Sequence, residues 1–329
     1  MILGIESTAH TFGVALVHKG KILANCKDAY TTESGGIVPL EAAKHHERVR
    51  GPLYEQALKE ANVKPSEIKA IAFSQGPGLT PSLCRGRDFA KQLSLELNVP
   101  IIPVNHCIAH LEIGQSVGAK DPVLLYASGA NTQIIAYAAG QYRVFGETLD
   151  IGIGNFLDQF ARQQGMGFPG GPKIQKLAQE SDKKYIKLPY VVKGMDISLS
   201  GILTNASQKV KKNPKEINNI AYSIQETVFA MLVEVAERAL AHTGKKELVL
   251  GGGVACNNRL QEMCQIMCKE RGAKYFCPPN PLLVDNAGMI AYTGEIMYNK
   301  GIKITKKEDI ENLQVLPRQR TDHVSVTWR

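Results

Sequence analysis

Short apolar runs recur along the chain, and small or polar residues follow each of them. The run at residues 2–5 ends at Glu6 and leads through a turn of small residues into a second run at residues 12–17. A similar succession begins at Leu124, where an apolar run is followed by a Ser-Gly-Ala-Asn turn and another apolar run. Apolar runs of this length, bounded by turn residues, predict strands. Each segment therefore predicts a strand, a tight turn and a second strand.

The two segments also match position by position. With Leu3 aligned to Leu124, Leu, Ser, Ala, Thr and Ala recur at identical spacings. A third strand is predicted after each pair, at residues 21–24 and 142–145. Farther along, apolar runs at residues 68–73 and 247–250 each lead into a glycine loop and a helix.

Both halves thus predict three strands, then helix, strand, helix, strand and helix. Strands that alternate with helices indicate an α/β fold with mixed sheets. The matching order favours duplication over chance similarity. We predict a first lobe over residues 1–121, a second over residues 122–300 with an insertion at about residues 167–220, and a C-terminal extension over residues 301–329.

This duplicated order resembles the superfamily of actin, sugar kinases and Hsp70, in which two actin-like domains with mixed β-sheets face a central cleft. Backbone N–H groups of its small-residue turns bind nucleotide phosphates. The turns at residues 7–11 and 128–132 match that role, and the glycines at 251–253 allow close approach of the backbone to a ligand. An acidic residue at the position of Glu6 commonly handles a metal ion or a water there; alternatively it caps the turn.

Two histidines four positions apart follow the apolar run at residues 101–104. On a helix with Asn105 as N-cap, His106 and His110 lie on one face, close enough to share a metal ion. An ordinary helix with two packed or surface histidines is the alternative. A zinc-protease motif would need glutamate after the first histidine, where this chain has Cys107.

Two oxygen ligands could complete such a site. Asp285, before the last long predicted helix, would give a 2-His-1-carboxylate set that suits iron or zinc. As an N-cap of that helix, Asp285 has a purely structural explanation instead. Tyr126, at the end of an apolar strand, could add a fourth ligand, or it is simply packed.

Several polar residues near the predicted cleft could contact a ligand or serve only as helix caps. Asp158 lies early in a helix and could cap it or bind a ribose hydroxyl. Asn257, beside the triple glycine, could cap a helix or contact a nucleobase or ribose. The segment at residues 167–172 is rich in glycine and proline and predicts a backbone surface against a ligand. His45 and His46 lie on a basic helix, where a surface position is expected, or else one that faces RNA.

Composition narrows the class of protein. The chain has 329 residues, 44% of them apolar, and no apolar run approaches the ~20 residues of a membrane span. Seven cysteines without a CxxC pair are typical of the reducing cytosol. The net charge of +8 and clustered lysines and arginines are compatible with a phosphate-rich partner such as RNA, or with solvated helix faces.

Taken together, the motifs resemble one family, the tRNA N6-adenosine threonylcarbamoyltransferases of the archaeal and eukaryotic branch, the catalytic subunit of the KEOPS complex. The resemblance spans essentially the whole chain. It rests on these segments, in this order: GIESTAHTFGVAL, HCIAH, YASGANTQ, GFPGGPKI, SLSGILTNA, GGGVACNNRL, DNAGMIAYTG and RTDHVSVTWR.

The resemblance implies one Fe(2+) or Zn(2+) ion per subunit, held by His106, His110, Tyr126 and Asp285. It also implies a site for threonylcarbamoyl-AMP, which ATP or AMP can occupy as well. The residues implied for that site are Tyr126, Ala127, Ser128, Gly129, Ala130, Asp158, Gly171, Gln175 and Asn257. Two positions depart from the family pattern, which usually has glycine at Ala130 and glutamate at Gln175.

The implied reaction transfers the threonylcarbamoyl group to N6 of the adenosine 3′ of the anticodon, in tRNAs that read ANN codons. The implied partners are tRNA, an atypical kinase/ATPase subunit that is fused to this domain in some archaea, and a small dimerising subunit. A cytoplasmic enzyme without a membrane partner is expected. A nucleotide-dependent small-molecule kinase of the same fold is the main alternative, and a metalloprotease or a non-catalytic nucleotide-binding scaffold are others.

Overall fold

The computed structural model describes residues 1–32 and 36–329, and its strands form two five-stranded mixed sheets. The first sheet has the order β3-β2-β1-β4-β5, in which β1 pairs antiparallel with β2 and parallel with β4. All five residues of β1 are buried, because helices cover both faces of the sheet. The strands are β1 (Ile2–Glu6), β2 (Thr11–His18), β3 (Lys21–Ala29), β4 (Ala70–Gly76) and β5 (Ile101–Asn105).

The second sheet repeats this topology. Its order is β12-β11-β6-β7-β8, with β6 antiparallel to β7 and parallel to β11. Its strands are β6 (Val123–Ala127), β7 (Thr132–Ala138), β8 (Gln141–Glu147), β11 (Glu247–Gly251) and β12 (Lys274–Phe276). A short hairpin of β9 (Val192–Lys193) and β10 (Asp196–Ile197) lies in the predicted insertion. The predicted α/β fold with two duplicated mixed-sheet halves is confirmed.

Eleven α-helices are found in the described residues, and the predicted strand–helix order of both halves is present. The helices are α1 (Pro39–Ala61), α2 (Thr80–Leu97), α3 (His106–Glu112), α4 (Ile153–Gln163), α5 (Gly171–Gln179), α6 (Ser200–Lys212), α7 (Ile217–Thr243), α8 (Asn258–Glu270), α9 (Asn280–Leu283), α10 (Ala287–Asn299) and α11 (Lys307–Glu311). No helix in this described part of the chain has both the length and the apolarity to cross a membrane.

Helices α3 and α10 form a shared layer between the two sheets. One hydrophobic cluster joins Ile102 of the first sheet, Ile108 of α3, Leu124 of the second sheet and Ile290 of α10. Helix α10 packs closely on the first sheet because of small residues: a Cβ at Gly4 would lie 2.5 Å from the carbonyl oxygen of Ala287. The helix that follows the second sheet therefore lies against the first, while the division at residues 121 and 300 stays a prediction.

The strand ends bring the predicted site together. The carboxyl ends of β1, β5, β6 and β11 face the space between the two lobes, where open α/β sheets bind their ligands. The residues that follow these strands are Ser7, His106, Ser128 and Gly252.

Candidate metal centre

Helix α3 begins directly after β5, and its N-cap is the predicted Asn105, whose Oδ1 accepts a hydrogen bond from the N–H of Ile108. The rings of His106 and His110 lie one turn apart, with centroids separated by 4.8 Å. Both side chains are buried. The helix therefore places two imidazoles side by side, with His106 at the cleft between the lobes and His110 behind it.

Asp285 approaches both histidines. Its Oδ1 lies 3.4 Å from Nε2 of His106 and 3.5 Å from Nε2 of His110. One ligand atom from each of the three residues lies within 4.8 Å of the others, and no other such group of three occurs in the described residues. The hydroxyl of Tyr126 lies 3.0 Å from Nε2 of His106. The structure thus brings all four predicted metal ligands together.

The helix cap lies one residue later than the sequence indicated. Asn286, not Asp285, is the N-cap of α10, and its Oδ1 accepts from the N–H of Met289. The purely structural explanation of Asp285 as an N-cap is therefore wrong. The carboxylate of Asp285 faces the histidines instead.

Glu6 caps the turn, one of the two roles that the sequence left open, and it also contacts His106. Its Oε1 accepts from the N–H of Thr8 and caps the turn. Its Oε2 accepts from Nδ1–H of His106 across 2.9 Å. Because a carboxylate can only accept, this contact puts a proton on Nδ1 and aims Nε2 at Asp285 and Tyr126.

Charge in this buried space favours a cation. Burial lowers the pKa of His106, but the negative charges that surround it, those of Glu6 and Asp285 among them, outweigh burial and raise this pKa well above its usual value. Burial lowers the pKa of His110, which keeps that ring neutral and its lone pair free. Both ring nitrogens of His110 lack a hydrogen-bond partner among the described residues. A buried imidazole with no partner, beside a carboxylate, fits a metal ligand.

Three of the predicted metal ligands, His106, Tyr126 and Asp285, line a cavity of about 840 Å³ between the lobes, and His110 lies behind them. This size is typical of small-molecule sites. The turns at residues 8–11 and 128–131 form opposite walls. Most residues predicted to bind substrate line it: Tyr126, Ser128, Gly129, Ala130, Asp158, Gly171, Gln175 and Asn257. Ala127 is the exception, since its side chain is buried at the end of β6, beside Gly252.

The two small-residue turns are not equivalent. In the first, the N–H groups of Ser7 and Thr8 already donate to Oγ of Ser74 and to Glu6. In the second, the N–H groups of Gly129 and Ala130 have no acceptor in the described part of the chain. The expectation that both turns offer their N–H groups to phosphate is therefore wrong for Ser7 and Thr8. In the described residues the N–H groups of Ala9 and His10 lack an acceptor, as those of Gly129 and Ala130 do.

Asp158 and Asn257 shape the wall of the cavity. Oδ1 of Asp158 accepts from the N–H of Gly170, which holds the glycine- and proline-rich segment against α4. Asn257 is the N-cap of α8 and also donates to Oε1 of Gln225. The helix-cap alternative is thus confirmed for Asn257 and wrong for Asp158, because Gly152 is the N-cap of α4. The contacts with Gly170 and Gln225 had no signal in the sequence.

His45 and His46 differ from the sequence expectation. Both are buried, with Nε2 of His45 2.8 Å from Asp28 and Nε2 of His46 3.1 Å from the carbonyl oxygen of Ala9. The expected surface position is wrong because this face of α1 packs on β2 and β3. His46 thereby supports the first turn of the cleft through its contact with Ala9.

Comparison with known proteins gives the family. The family model for tRNA N6-adenosine threonylcarbamoyltransferase (TsaD) matches residues 21–292. A Thermococcus sibiricus protein named tRNA N6-adenosine threonylcarbamoyltransferase is 56% identical over 326 residues, with 99% of each chain covered. The Thermococcus kodakarensis protein of the same name is equally similar. The chain belongs to the tRNA N6-adenosine threonylcarbamoyltransferase family. The family resemblance drawn from the sequence is confirmed, and the transferase, not the kinase alternative, is supported.

Two further kinds of match extend the comparison. A Methanosarcina mazei relative named as a probable bifunctional tRNA threonylcarbamoyladenosine biosynthesis protein is 53% identical; the match covers 99% of this chain and 59% of that protein. Among solved structures, Thermococcus kodakarensis HypF superposes with a TM-score of 0.64 at 14% identity, covering 92% of this chain and 48% of HypF. An activator of 2-hydroxyisocaproyl-CoA dehydratase from Clostridium difficile has a TM-score of 0.55 at 12% identity, covering 92% of this chain and 98% of the activator. These two structures show that this transferase family member shares their fold.

Proposed function

We propose that this chain transfers the threonylcarbamoyl group from threonylcarbamoyl-AMP to N6 of the adenosine 3′ of the anticodon in tRNAs that read ANN codons. The product is N6-threonylcarbamoyladenosine. The observation that carries the proposal is the meeting of His106, His110 and Asp285 in one cluster, of which His106 and Asp285 line a nucleotide-sized cavity, in a member of this transferase family.

The metal in this proposal is Fe(2+) or Zn(2+), held by His106, His110, Asp285 and Tyr126. The unpartnered, neutral imidazole of His110 and the carboxylate-bound imidazole of His106 support this assignment. Such an ion, when bound, supplies Lewis-acid polarisation and orients the donor. Burial raises the pKa of Tyr126, so its hydroxyl stays protonated near neutral pH.

The adenylate in this proposal binds along the wall formed by the second lobe. The free N–H groups of Gly129 and Ala130 would hold its phosphate and stabilise the charge on departing AMP. Asp158 and Gln175 are assigned to the ribose. Gly171, Asn257 and the backbone from Tyr126 to Ala130 complete the site, and AMP or ATP would compete for it.

The transfer itself needs no acyl-enzyme in this account. The exocyclic amine of the tRNA adenosine attacks the carbonyl carbon of the donor, the amine loses a proton, and the bond to the phosphate oxygen of AMP breaks. Cys256 is the one thiol that lines the cavity in the described residues. Burial raises its pKa to about 11, so it is a poor nucleophile at neutral pH. The cleft therefore acts mainly by orienting the two reactants.

Partners and location are part of the proposal. The bifunctional name of the Methanosarcina mazei relative supports a functional link to a second protein of the same pathway. We assign to this chain an atypical kinase/ATPase subunit and a small dimerising subunit of a KEOPS complex as partners, and the cytoplasm as location. Seven free cysteines fit a reducing compartment.

The test is a reconstituted transfer assay. The protein is given tRNA, labelled threonine, bicarbonate, ATP, an adenylate-forming enzyme and the partner subunits. Label in N6-threonylcarbamoyladenosine, lost with His106→Ala and kept with the exposed-histidine control His18→Ala, is the expected result. A phosphorylated small molecule without labelled tRNA would contradict the proposal and favour the kinase alternative.

A further inference from the structure

A segment at residues 314–329, here called the C-terminal strap, crosses from one lobe to the other past the candidate metal centre. It starts at the end of β4, where the N–H of Leu316 donates to the carbonyl oxygen of Gln75 and the N–H of Gly78 donates to that of Pro317. It ends against the second sheet, where Trp328 and Arg329 pack beside Tyr142 of β8. Two polar contacts of the strap hold the two ends of helix α3.

The first contact is at the start of α3. Asn105 caps the helix through Oδ1, and its Nδ2 donates to Oε1 of Gln319 across 3.0 Å. Because the two ends of the amide have opposite hydrogen-bonding roles, Gln319 fixes which way the Asn105 side chain faces. The cap directly precedes His106.

The second contact is at the end of α3. Oε1 of Glu112 lies 2.9 Å from Nε and 2.7 Å from Nη2 of Arg329. Glu112 is fully buried, and it also accepts from the hydroxyl of Tyr142. The guanidinium of Arg329 lies 4.9 Å from the ring centroid of Tyr137. A carboxylate removed from water in this way depends on its partner, because leaving it unpaired is costly.

We propose that the C-terminal strap is a positioning element for the metal centre, with Gln319 and Arg329 as positioning residues that hold the two ends of α3. The proposal rests on the proposed function, since it takes His106 and His110 as metal ligands. Helix α3 has only seven residues, so its own backbone hydrogen bonds fix it weakly. The contacts of Gln319 and Arg329 hold this short helix at its two ends.

Metal affinity depends on this positioning, because ligand atoms must be held within about 0.5 Å of their binding geometry. Asp285 reaches the site from the loop before α10, an element other than α3. A shift of α3 would therefore move both histidines relative to the aspartate.

The chain offers a built-in reporter of strap docking. Trp328 is its only tryptophan, it is 5% exposed, and it lies next to Arg329. Release of the strap would move this ring into water and shift its fluorescence emission to longer wavelength.

The experiment measures Trp328 emission, the unfolding temperature and the Zn(2+) dissociation constant, the last by competition with a chromophoric chelator. It uses the full chain and the variants Arg329→Met, Arg329→Lys and Gln319→Leu. The matched control is Arg318→Met, an exposed arginine of the same strap. Gln319→Leu removes one contact without uncovering a buried charge, so it keeps the test valid if Arg329→Met fails to fold.

In Arg329→Met we expect a red-shifted emission. We also expect the Zn(2+) dissociation constant to rise about tenfold, which is the lower end of the loss in metal affinity typical when a residue that supports a metal ligand is replaced. Arg329→Lys restores part of the affinity, Gln319→Leu weakens it severalfold, and Arg318→Met changes nothing. Unchanged Zn(2+) affinity in folded Arg329→Met and Gln319→Leu, whatever happens to emission or unfolding temperature, overturns the proposal. Wild-type protein that binds no metal would instead contradict the metal site of the proposed function, and the strap's role with it.

Discussion

Glu6 and His106 lie 100 positions apart in sequence, and Oε2 of Glu6 is 2.9 Å from Nδ1 of His106. The contact joins the end of the first strand to the start of the helix that carries His106 and His110. It settles the tautomer of His106 and leaves Nε2 to face Asp285. Glu6 at the end of the first strand therefore orients His106, which directly follows the fifth strand.

Replacing Glu6 by glutamine tests this contact. Glu6→Gln keeps the size of the side chain but removes the charge that holds the Nδ1 proton. We expect metal affinity to fall by about 10- to 100-fold, as for other outer carboxylates of metal-binding histidines. Competition with a chelator measures it, and Glu41→Gln, on the exposed face of α1, is the control. Equal affinities in the two variants would contradict the orienting role.

Substitutions at the adjacent residues Asp285 and Asn286 distinguish metal binding from helix capping. Asp285→Asn should abolish stoichiometric metal binding, because it removes the only carboxylate near both histidines among the described residues. Asn286→Ala should instead cost about 1 kcal/mol of unfolding free energy through loss of the cap of α10. Metal analysis and urea denaturation of both variants check the assignment. A cap-like stability loss with full metal content in Asp285→Asn would reverse the two roles.

His46 predicts a pH dependence of stability. Burial, reinforced by the neighbouring His45, lowers the pKa of His46 to about 4, whereas an unfolded chain has a histidine pKa near 6.5. Between those values the unfolded state binds more protons, so stability falls as pH drops from about 6.5 to 4. At about 1.4 kcal/mol per pKa unit, the loss is about 3 kcal/mol at most.

Urea denaturation of wild type and His46→Gln across this pH range measures that effect. The variant should show a flatter profile, while the exposed-histidine control His18→Gln should follow the wild type. An unchanged slope in His46→Gln would show that other groups govern the acid sensitivity.

Gln175 tests the departure from the family pattern. Gln175 lines the cavity, and the family usually has glutamate there. A carboxylate accepts a stronger hydrogen bond from a ribose hydroxyl than an amide does, by roughly 1 kcal/mol. Gln175→Glu should therefore tighten AMP binding about fivefold in calorimetry. Gln265→Glu, at an exposed position of α8 outside the cavity, serves as a charge control, and an equal gain in it would point to general electrostatics instead.

Much of the fold follows from local sequence patterns. The strands and turns of both halves are readable because apolar runs and turn residues are local signals, and the cap at Asn105 follows the same logic. The packing of α10 on the first sheet is not readable in this way. It depends on close approach at Gly4, a contact between distant parts of the chain.

The candidate site, like the fold, can be predicted only in part from local sequence. His106 and His110 are recognisable from their spacing on one helix, whereas the contact of Glu6 with His106 has no local signal. The sequence offers Asp285 as a possible cap of α10, one residue before the true cap, because Asp and Asn stand side by side and both are good caps. The burial of His46 cannot be predicted from the sequence, because the many basic residues of α1 obscure the pattern of the face that packs on the sheet.

The most direct test of the account is diffraction from crystals of the zinc-loaded protein with AMP, using anomalous scattering at the zinc edge. The account predicts one anomalous peak bounded by His106, His110 and Asp285, with AMP in the same cavity and its ribose beside Asp158. A peak elsewhere, or AMP bound outside the cavity, would contradict it.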